Sequence, residues 1–142
     1  MALRILSFEL GGRPFGLRID QLAEVAGLPH NLRRVPGAPE CVVGVGELRG
    51  SLLTVLDPAA ALGLSWAGRE EHVAVLRAPR GRVGLLLRGA VDILLCEEGP
   101  AAEPGEGEPE RDVVCMGTGG DRELLDPEAV VAVCRERIRR RG

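Results

Sequence analysis

Residues 35–64, which read VPGAPECVVGVGELRGSLLTVLDPAAALGL, carry the pattern that decides the fold. Prolines and a glycine open the stretch as a surface loop, and two apolar runs then flank the turn sequence ELRG at 47–50. Short apolar runs on either side of a glycine-containing turn are typical of paired β-strands. Asp57 and Pro58 favour a helix N-terminus, because aspartate caps free amides there and proline loses no hydrogen bond. The stretch therefore predicts a loop, a β-hairpin and a short helix over 59–62.

Two further hairpins are predicted, one at 6–20 around GGRP and one at 72–87 around APRG. Alternating apolar and polar residues in the first hairpin predict one buried face and one face in water. The residues expected to be buried are Leu6, Phe8, Leu10, Phe15, Leu17 and Ile19. Those expected in water are Ser7, Glu9, Arg18 and Asp20.

The chain also repeats itself. Gly84 follows Gly16 by 68 residues within similar apolar strands, and Asp126 of a second Leu-Asp-Pro motif follows Asp57 by 69. Two matches at nearly one offset indicate an internal duplication into two β-subdomains of roughly 65 residues each.

The C-terminal part adds two segments of a different character. Residues 97–112 are rich in glutamate, proline and glycine, which predicts a mobile surface loop. A helix is predicted over 127–140, and its arginines at 135–141 lie where the helix dipole favours positive charge. The same basic cluster would also fit an acidic partner, RNA or a membrane surface.

Composition argues against several classes of protein. The formal net charge is −3 and the chain has only two phenylalanines and one tryptophan, so a nucleic-acid-binding face is not indicated. No apolar run reaches the roughly 18 residues of a membrane span. The N-terminus alternates like a strand and does not resemble a signal peptide. We therefore expect a cytoplasmic protein without direct membrane insertion.

No catalytic, cofactor or metal site is predicted. The four cysteines are widely spaced, and the two histidines, His30 and His72, stand alone, whereas metal sites usually need close pairs of ligands. The glycine-rich segments match neither a P-loop nor a dinucleotide-binding motif.

Arg49 is the residue that the pattern singles out. Its stem can lie on apolar strand surface while its guanidinium contacts backbone carbonyls or the carboxylate of a partner. A purely structural role in the turn fits the sequence equally well.

These motifs together resemble the CheW family, the coupling proteins of bacterial chemosensory arrays. The resemblance spans roughly residues 3–134 and keeps the motifs in the family's order. They are LAEV at 22–25, PGAP at 36–39, GVGELRG at 44–50, VLD at 55–57, VGL at 83–85 and LD at 125–126.

The resemblance implies a mainly β fold: a single CheW-like domain, 1–142, of two intertwined SH3-like five-stranded β-barrel subdomains packed together. A short helix follows the first barrel and another ends the chain. It implies a scaffold or adaptor of two-component signal transduction, in chemotaxis or a related motility or developmental pathway, with no enzyme activity and no cofactor. The implied partners are the cytoplasmic tip of a chemoreceptor and the regulatory domain of a histidine kinase. This would place the protein in the cytoplasm at membrane-associated receptor arrays.

The receptor contacts implied by the resemblance are Leu22, Glu24, Gly44, Glu47 and Arg49. Kinase contacts are implied on apolar strand surface of both barrels, without being assigned to residues.

Departures from the family pattern keep two alternatives open. Glu47 replaces the usual asparagine, Pro58 replaces a common leucine, and Arg88 stands where aspartate is frequent. One alternative is a divergent coupling-like protein that binds only one of the two partners. The other, from a different class, is a small-barrel RNA-binding protein that uses its arginine-rich tail.

Overall fold

A computed structural model describes residues 2–77, 82–99 and 115–141. Within these ranges the chain is mainly β, with ten strands, one 3-10 turn at Ile19–Gln21 and two α-helices. The strands are β1 Ala2–Leu10, β2 Arg13–Arg18, β3 Leu22–Gly27, β4 Val42–Leu48, β5 Ser51–Leu56, β6 Glu71–Leu76, β7 Arg82–Arg88, β8 Asp92–Gly99, β9 Cys115–Gly119 and β10 Arg122–Leu125. The helices are α1 Pro58–Leu62 and α2 Pro127–Arg141.

The strands form two five-stranded sheets, which confirms the predicted fold class. In the first sheet the order is β1-β2-β10-β9-β8, and β8 pairs back onto β1, so hydrogen bonds close the barrel. In the second the order is β3-β6-β7-β5-β4. There β3 and β4 are the two edges, and the segment before β4 covers the β4 edge through a bridge between Arg33 and Val45.

Each sheet is assembled from both halves of the internal repeat. The first barrel takes β1 and β2 from the first half and β8, β9 and β10 from the second, and the second sheet has the reverse composition. The two parallel ladders that make this exchange correspond: Gly16 of β2 lies opposite Leu124, and Gly84 of β7 lies opposite Val55. The duplication is therefore a pair of interlocked sheets, and neither half contains all the strands of one sheet.

Glycine is required at positions 16 and 84 because the neighbouring strands leave no space for a side chain. A Cβ at Gly16 would lie 2.8 Å from Cδ1 of Ile5, and a Cβ at Gly84 would overlap Cγ2 of Val73. Ile5 and Val73 are themselves 68 residues apart, so the repeat preserves the close contact as well as the glycine. A large neighbour on the adjacent strand fills the volume that a side chain would take.

The first hairpin is buried on its predicted apolar face and, at Ser7, on the opposite face as well, which changes one expectation. Its predicted apolar face packs in the core between the two sheets, with Ile19 only partly buried. Ser7 was expected in water, but it is 5% exposed, because the opposite face of β1 lines the first barrel beside Leu3 and Ile5. The Ser7 hydroxyl donates to the backbone oxygen of Asp92 at 3.2 Å, so the buried polar group has a partner.

The helices begin at the two predicted caps. Asp57 accepts a hydrogen bond from the amide of Ala59 at 2.9 Å, and Asp126 accepts one from the amide of Glu128 at 3.1 Å. On α2, Val130 and Cys134 are buried in the core that the sheets share. The Arg137 guanidinium donates to the carbonyl oxygens of Ala60 and Ala61, both at 2.8 Å, and so caps the C-terminal end of α1.

Two predicted segments, the loop 97–112 and the turn 78–81, lie wholly or partly outside the described residues. Residues 97–99 of the predicted loop 97–112 continue β8, and 100–112 lie outside the described residues. The turn at 78–81 also lies outside them.

The exchange of strands predicts how the chain responds to being cut in the segment between α1 and β6. We expect fragments 1–66 and 67–142 to be largely unstructured alone, because each lacks the neighbours of its own strands. An equimolar mixture should regain the β-sheet circular dichroism spectrum of the intact chain. A native-like spectrum from fragment 1–66 by itself would contradict the exchange.

The ladder glycines predict a local stability effect. Gly84→Ala is expected to destabilise the fold by about 1–3 kcal/mol, because the added methyl group overpacks against Val73. Gly27→Ala is the matched control, since a Cβ there meets nothing within 4 Å. Urea unfolding of both variants measures the difference. Equal unfolding midpoints would show that the added methyl group is accommodated without a loss of stability.

Candidate partner-docking surface

The turn at 47–50 has a backbone conformation that explains its sequence. Leu48 pairs with Ser51, so Arg49 and Gly50 form a two-residue hairpin loop with φ of 52° and 79°. Positive φ at both central positions matches the twist of a β-hairpin. Glycine adopts this conformation easily, whereas a residue with a Cβ is strained by roughly 1–2 kcal/mol. Arg49 is the one non-glycine residue with positive φ in the described part of the chain.

An ion pair joins this turn to β3. Nε of Arg49 donates to the carboxylate of Glu24, at 3.0 Å to Oε2 and 3.3 Å to Oε1. The Glu24 side chain is 24% exposed and the Arg49 side chain 71% exposed. Glu24 is therefore largely enclosed, and most of the Arg49 side chain faces outward.

A second arginine, which the sequence analysis missed, binds the same carboxylate. Nη2 of Arg82, at the start of β7, donates to Oε1 of Glu24 at 2.9 Å. Its Nη1 donates to the backbone oxygen of Leu48 at 2.9 Å. Arg82 thus connects β3, β7 and the turn that presents Arg49. We call Glu24, Arg49 and Arg82 the arginine cluster.

The five predicted contact residues separate into four groups. Glu24 and Arg49 lie together in the arginine cluster. Leu22 is 5% exposed and belongs to the shared core, so its side chain is not available as a surface contact. Gly44 has a structural role, since a Cβ there would overlap the carbonyl oxygen of Arg33.

Glu47, the fifth, lines a separate open cavity of about 820 Å³ beside the turn. Its backbone amide donates to Oδ1 of Asn31 at 3.0 Å, and its side chain is exposed. The cavity is lined by Gly27, Leu28, Pro29, His30, Asn31, Glu47, Leu48 and Glu71. Glutamate at 47 therefore adds negative charge to a cavity that already contains Glu71.

Exposed apolar side chains lie on both sheets. On the second, Leu52 of β5 is 72% exposed, and the adjacent groove of about 370 Å³ lies between the 35–39 loop, Val45 and Ile138. On the first, Ile93 and Leu95 of β8 are 61% and 73% exposed. Neighbouring apolar residues left in water are typical of surfaces that bind other proteins.

The described residues show no arrangement typical of an active site. No group of three or more His, Cys, Asp or Glu side chains that could hold a metal ion is found among them. Burial, followed by the hydrogen bond with Cys41, raises the pKa of the Cys134 thiol, so it stays protonated and is a poor nucleophile. In the described part, no helix is both long and apolar enough to cross a bilayer.

Comparison with known proteins identifies the family. A model of the CheW-like domain matches residues 4–134. The chain belongs to the CheW-like family. Over 92 residues it is 34% identical to the chemotaxis protein CheW of Rhizobium meliloti and 33% identical to the probable chemotaxis protein CheW of Rhizobium etli. These alignments cover 63% of this chain and 59% of each relative, so the chain spans less than two thirds of their length.

A solved structure has the same fold. The scaffolding protein TtCheW from Thermoanaerobacter tengcongensis superposes with a TM-score of 0.71 at 19% identity, over 88% of this chain and 83% of that one. CheW-family proteins are non-catalytic scaffold proteins.

Because Leu22 is buried in the shared core, we expect it to stabilise the fold. Leu22→Asp should destabilise the protein by roughly 3–5 kcal/mol, because it places a carboxylate in the shared core. Arg49→Ala should change the free energy of unfolding by no more than about 1 kcal/mol, the usual range for an exposed ion pair. Chemical unfolding of both variants measures this, and a fully stable Leu22→Asp would show that the side chain can leave the core.

Proposed function

We propose that the chain is a non-enzymatic adaptor that couples a chemoreceptor to a histidine kinase within a bacterial chemosensory array. One partner would be the cytoplasmic tip of the receptor and the other the regulatory domain of the kinase. The protein would act in the cytoplasm, at membrane-associated arrays. Membership of the CheW-like family supports the adaptor role, and the names of the relatives point to chemotaxis.

The observation that carries the proposal is the arginine cluster on the turn of the second sheet. Arg49 has a strained backbone conformation with positive φ, and most of its side chain is exposed. Strain kept at an exposed residue is typical of functional positions. We assign the receptor contact to this region, with Glu24 and Arg49 as its central residues and Glu47 at its edge.

The kinase contact is proposed on exposed apolar strand surface. Ile93 and Leu95 of β8 lie on the first barrel, far along the chain from the turn at 47–50. Two separate faces would let one small protein bind both partners at once. Each contact of modest area binds weakly, but many linked contacts in an array add to high avidity.

The adaptor proposal predicts a selective loss of receptor binding. Arg49→Ala should weaken co-sedimentation with receptor-containing vesicles by about two- to fivefold, the value of an exposed charge contact. It should leave the circular dichroism spectrum and kinase binding unchanged. Arg88→Ala is the control, because Arg88 pairs with Glu71 at 3.4 Å in the same sheet and lies outside the arginine cluster.

Separate binding measurements with each partner distinguish the alternatives. Retained receptor binding by Arg49→Ala would reject the assigned contact. Binding of the wild-type chain to only one partner would identify a divergent coupling-like protein. The RNA-binding alternative is not favoured, because Arg137 of the basic tail is engaged with the carbonyl groups at the end of α1.

A further inference from the structure

The arginine cluster contains more positive than negative charge. Two guanidinium groups, those of Arg49 and Arg82, share the single carboxylate of Glu24. In the part of the chain that the structure describes, neither arginine forms an ion pair with another acidic side chain. Within the arginine cluster, one positive charge therefore has no carboxylate partner.

The two arginines are not equivalent. The Arg82 side chain is 28% exposed, and both of its Nη atoms are occupied, by the Glu24 carboxylate and by the Leu48 carbonyl. Arg49 is 71% exposed, and only its Nε is engaged with another described residue. The charge without a carboxylate partner is consequently displayed on the Nη groups of Arg49.

We propose that Arg82 is the positioning residue for the partner contact assigned to Arg49, because it keeps the Nη groups of Arg49 free to bind an acidic side chain of the partner. A guanidinium presents paired donors that match the two oxygens of a carboxylate. The Arg49 contact and the identity of the partner, a chemoreceptor tip, rest on the proposed function, and the role of Arg82 goes beyond it.

Arg82 acts by occupying one oxygen of Glu24 and by holding the turn. Without it, Glu24 would face Arg49 alone, and the pair would be neutral. Arg49 could then donate to both oxygens of Glu24 through Nε and one Nη atom, and its Nη groups would no longer be free for a partner. The bond from Arg82 to the Leu48 carbonyl also fixes the start of the strained turn, which sets the direction of the Arg49 side chain.

The first experiment needs no natural partner. An acetylated tetraglutamate peptide is titrated into the 142-residue chain while the Nε–H resonance of Arg49, assigned with Arg49→Lys, is followed by NMR. We expect a saturable shift with this peptide and none with acetylated tetraglutamine. Arg82→Gln should reduce the shift by at least half. Arg88→Gln, which removes a charge from the same strand, should not reduce it.

The second experiment tests positioning by a double-mutant cycle with a soluble chemoreceptor hairpin fragment. Arg49→Gln is expected to weaken binding about fivefold, and Arg82→Gln by about two- to fivefold. In the Arg49→Gln background, Arg82→Gln should cause no further loss, because it acts through Arg49. A merely structural role for Arg82 would give the same loss in both backgrounds.

The outcomes separate this inference from the proposed function. Absence of a tetraglutamate shift in the wild-type chain, or an equal shift in Arg82→Gln, would overturn the inference. So would receptor binding that does not depend on either arginine, and that result would leave the adaptor role standing. A peptide shift with the expected Arg82 dependence, but no receptor binding, would support the acidic docking site and reject the receptor as partner.

Discussion

The structure depends on two parallel ladders that join strands from opposite halves of the chain. β2 lies beside β10, and β7 lies beside β5, with a glycine in each ladder. At both glycines a branched side chain from the adjacent strand fills the space of the missing Cβ. Because these ladders join strands from distant parts of the sequence, neither half supplies all the strands of one sheet. The shared core between the sheets, which also contains α1 and α2, depends on the same pairing.

This interlocked arrangement creates the candidate docking site. Glu24 lies on β3 and Arg49 on the β4–β5 hairpin, both in the first half of the chain. Arg82 is the first residue of β7, in the second half. The second sheet has two edges, β3 and β4, and the ion pairs connect the β3 edge to the turn that ends β4. The Glu24 carboxylate is bound by one partly buried and one exposed guanidinium, so the same ion pairs contribute to the fold and to the charge on the surface.

Most of the elements were predictable because their signals are local. The hairpins, the aspartate caps of both helices and the turn at 47–50 depend on residues within a few positions of one another. Burial was less predictable where a strand has two buried faces. Ser7 was expected in water, since an alternating pattern does not reveal that a second core lies behind the strand. Leu22, a receptor contact implied by the family resemblance, is also buried. Arg82 was missed for a related reason, because the start of a strand gives no signal about a partner 58 residues away.

The amino-acid sequence alone determined the mainly β class, the internal duplication, the positions of the caps and turns, and the prominence of Arg49. The tertiary structure decided which half supplies each strand, which polar groups are buried, and that Arg82 shares the Glu24 carboxylate. Local sequence determines backbone conformation, because steric preference and capping act over a few residues. Partners between distant strands are chosen by packing and by charge balance in the folded chain, and these exist only after the two halves have interlocked.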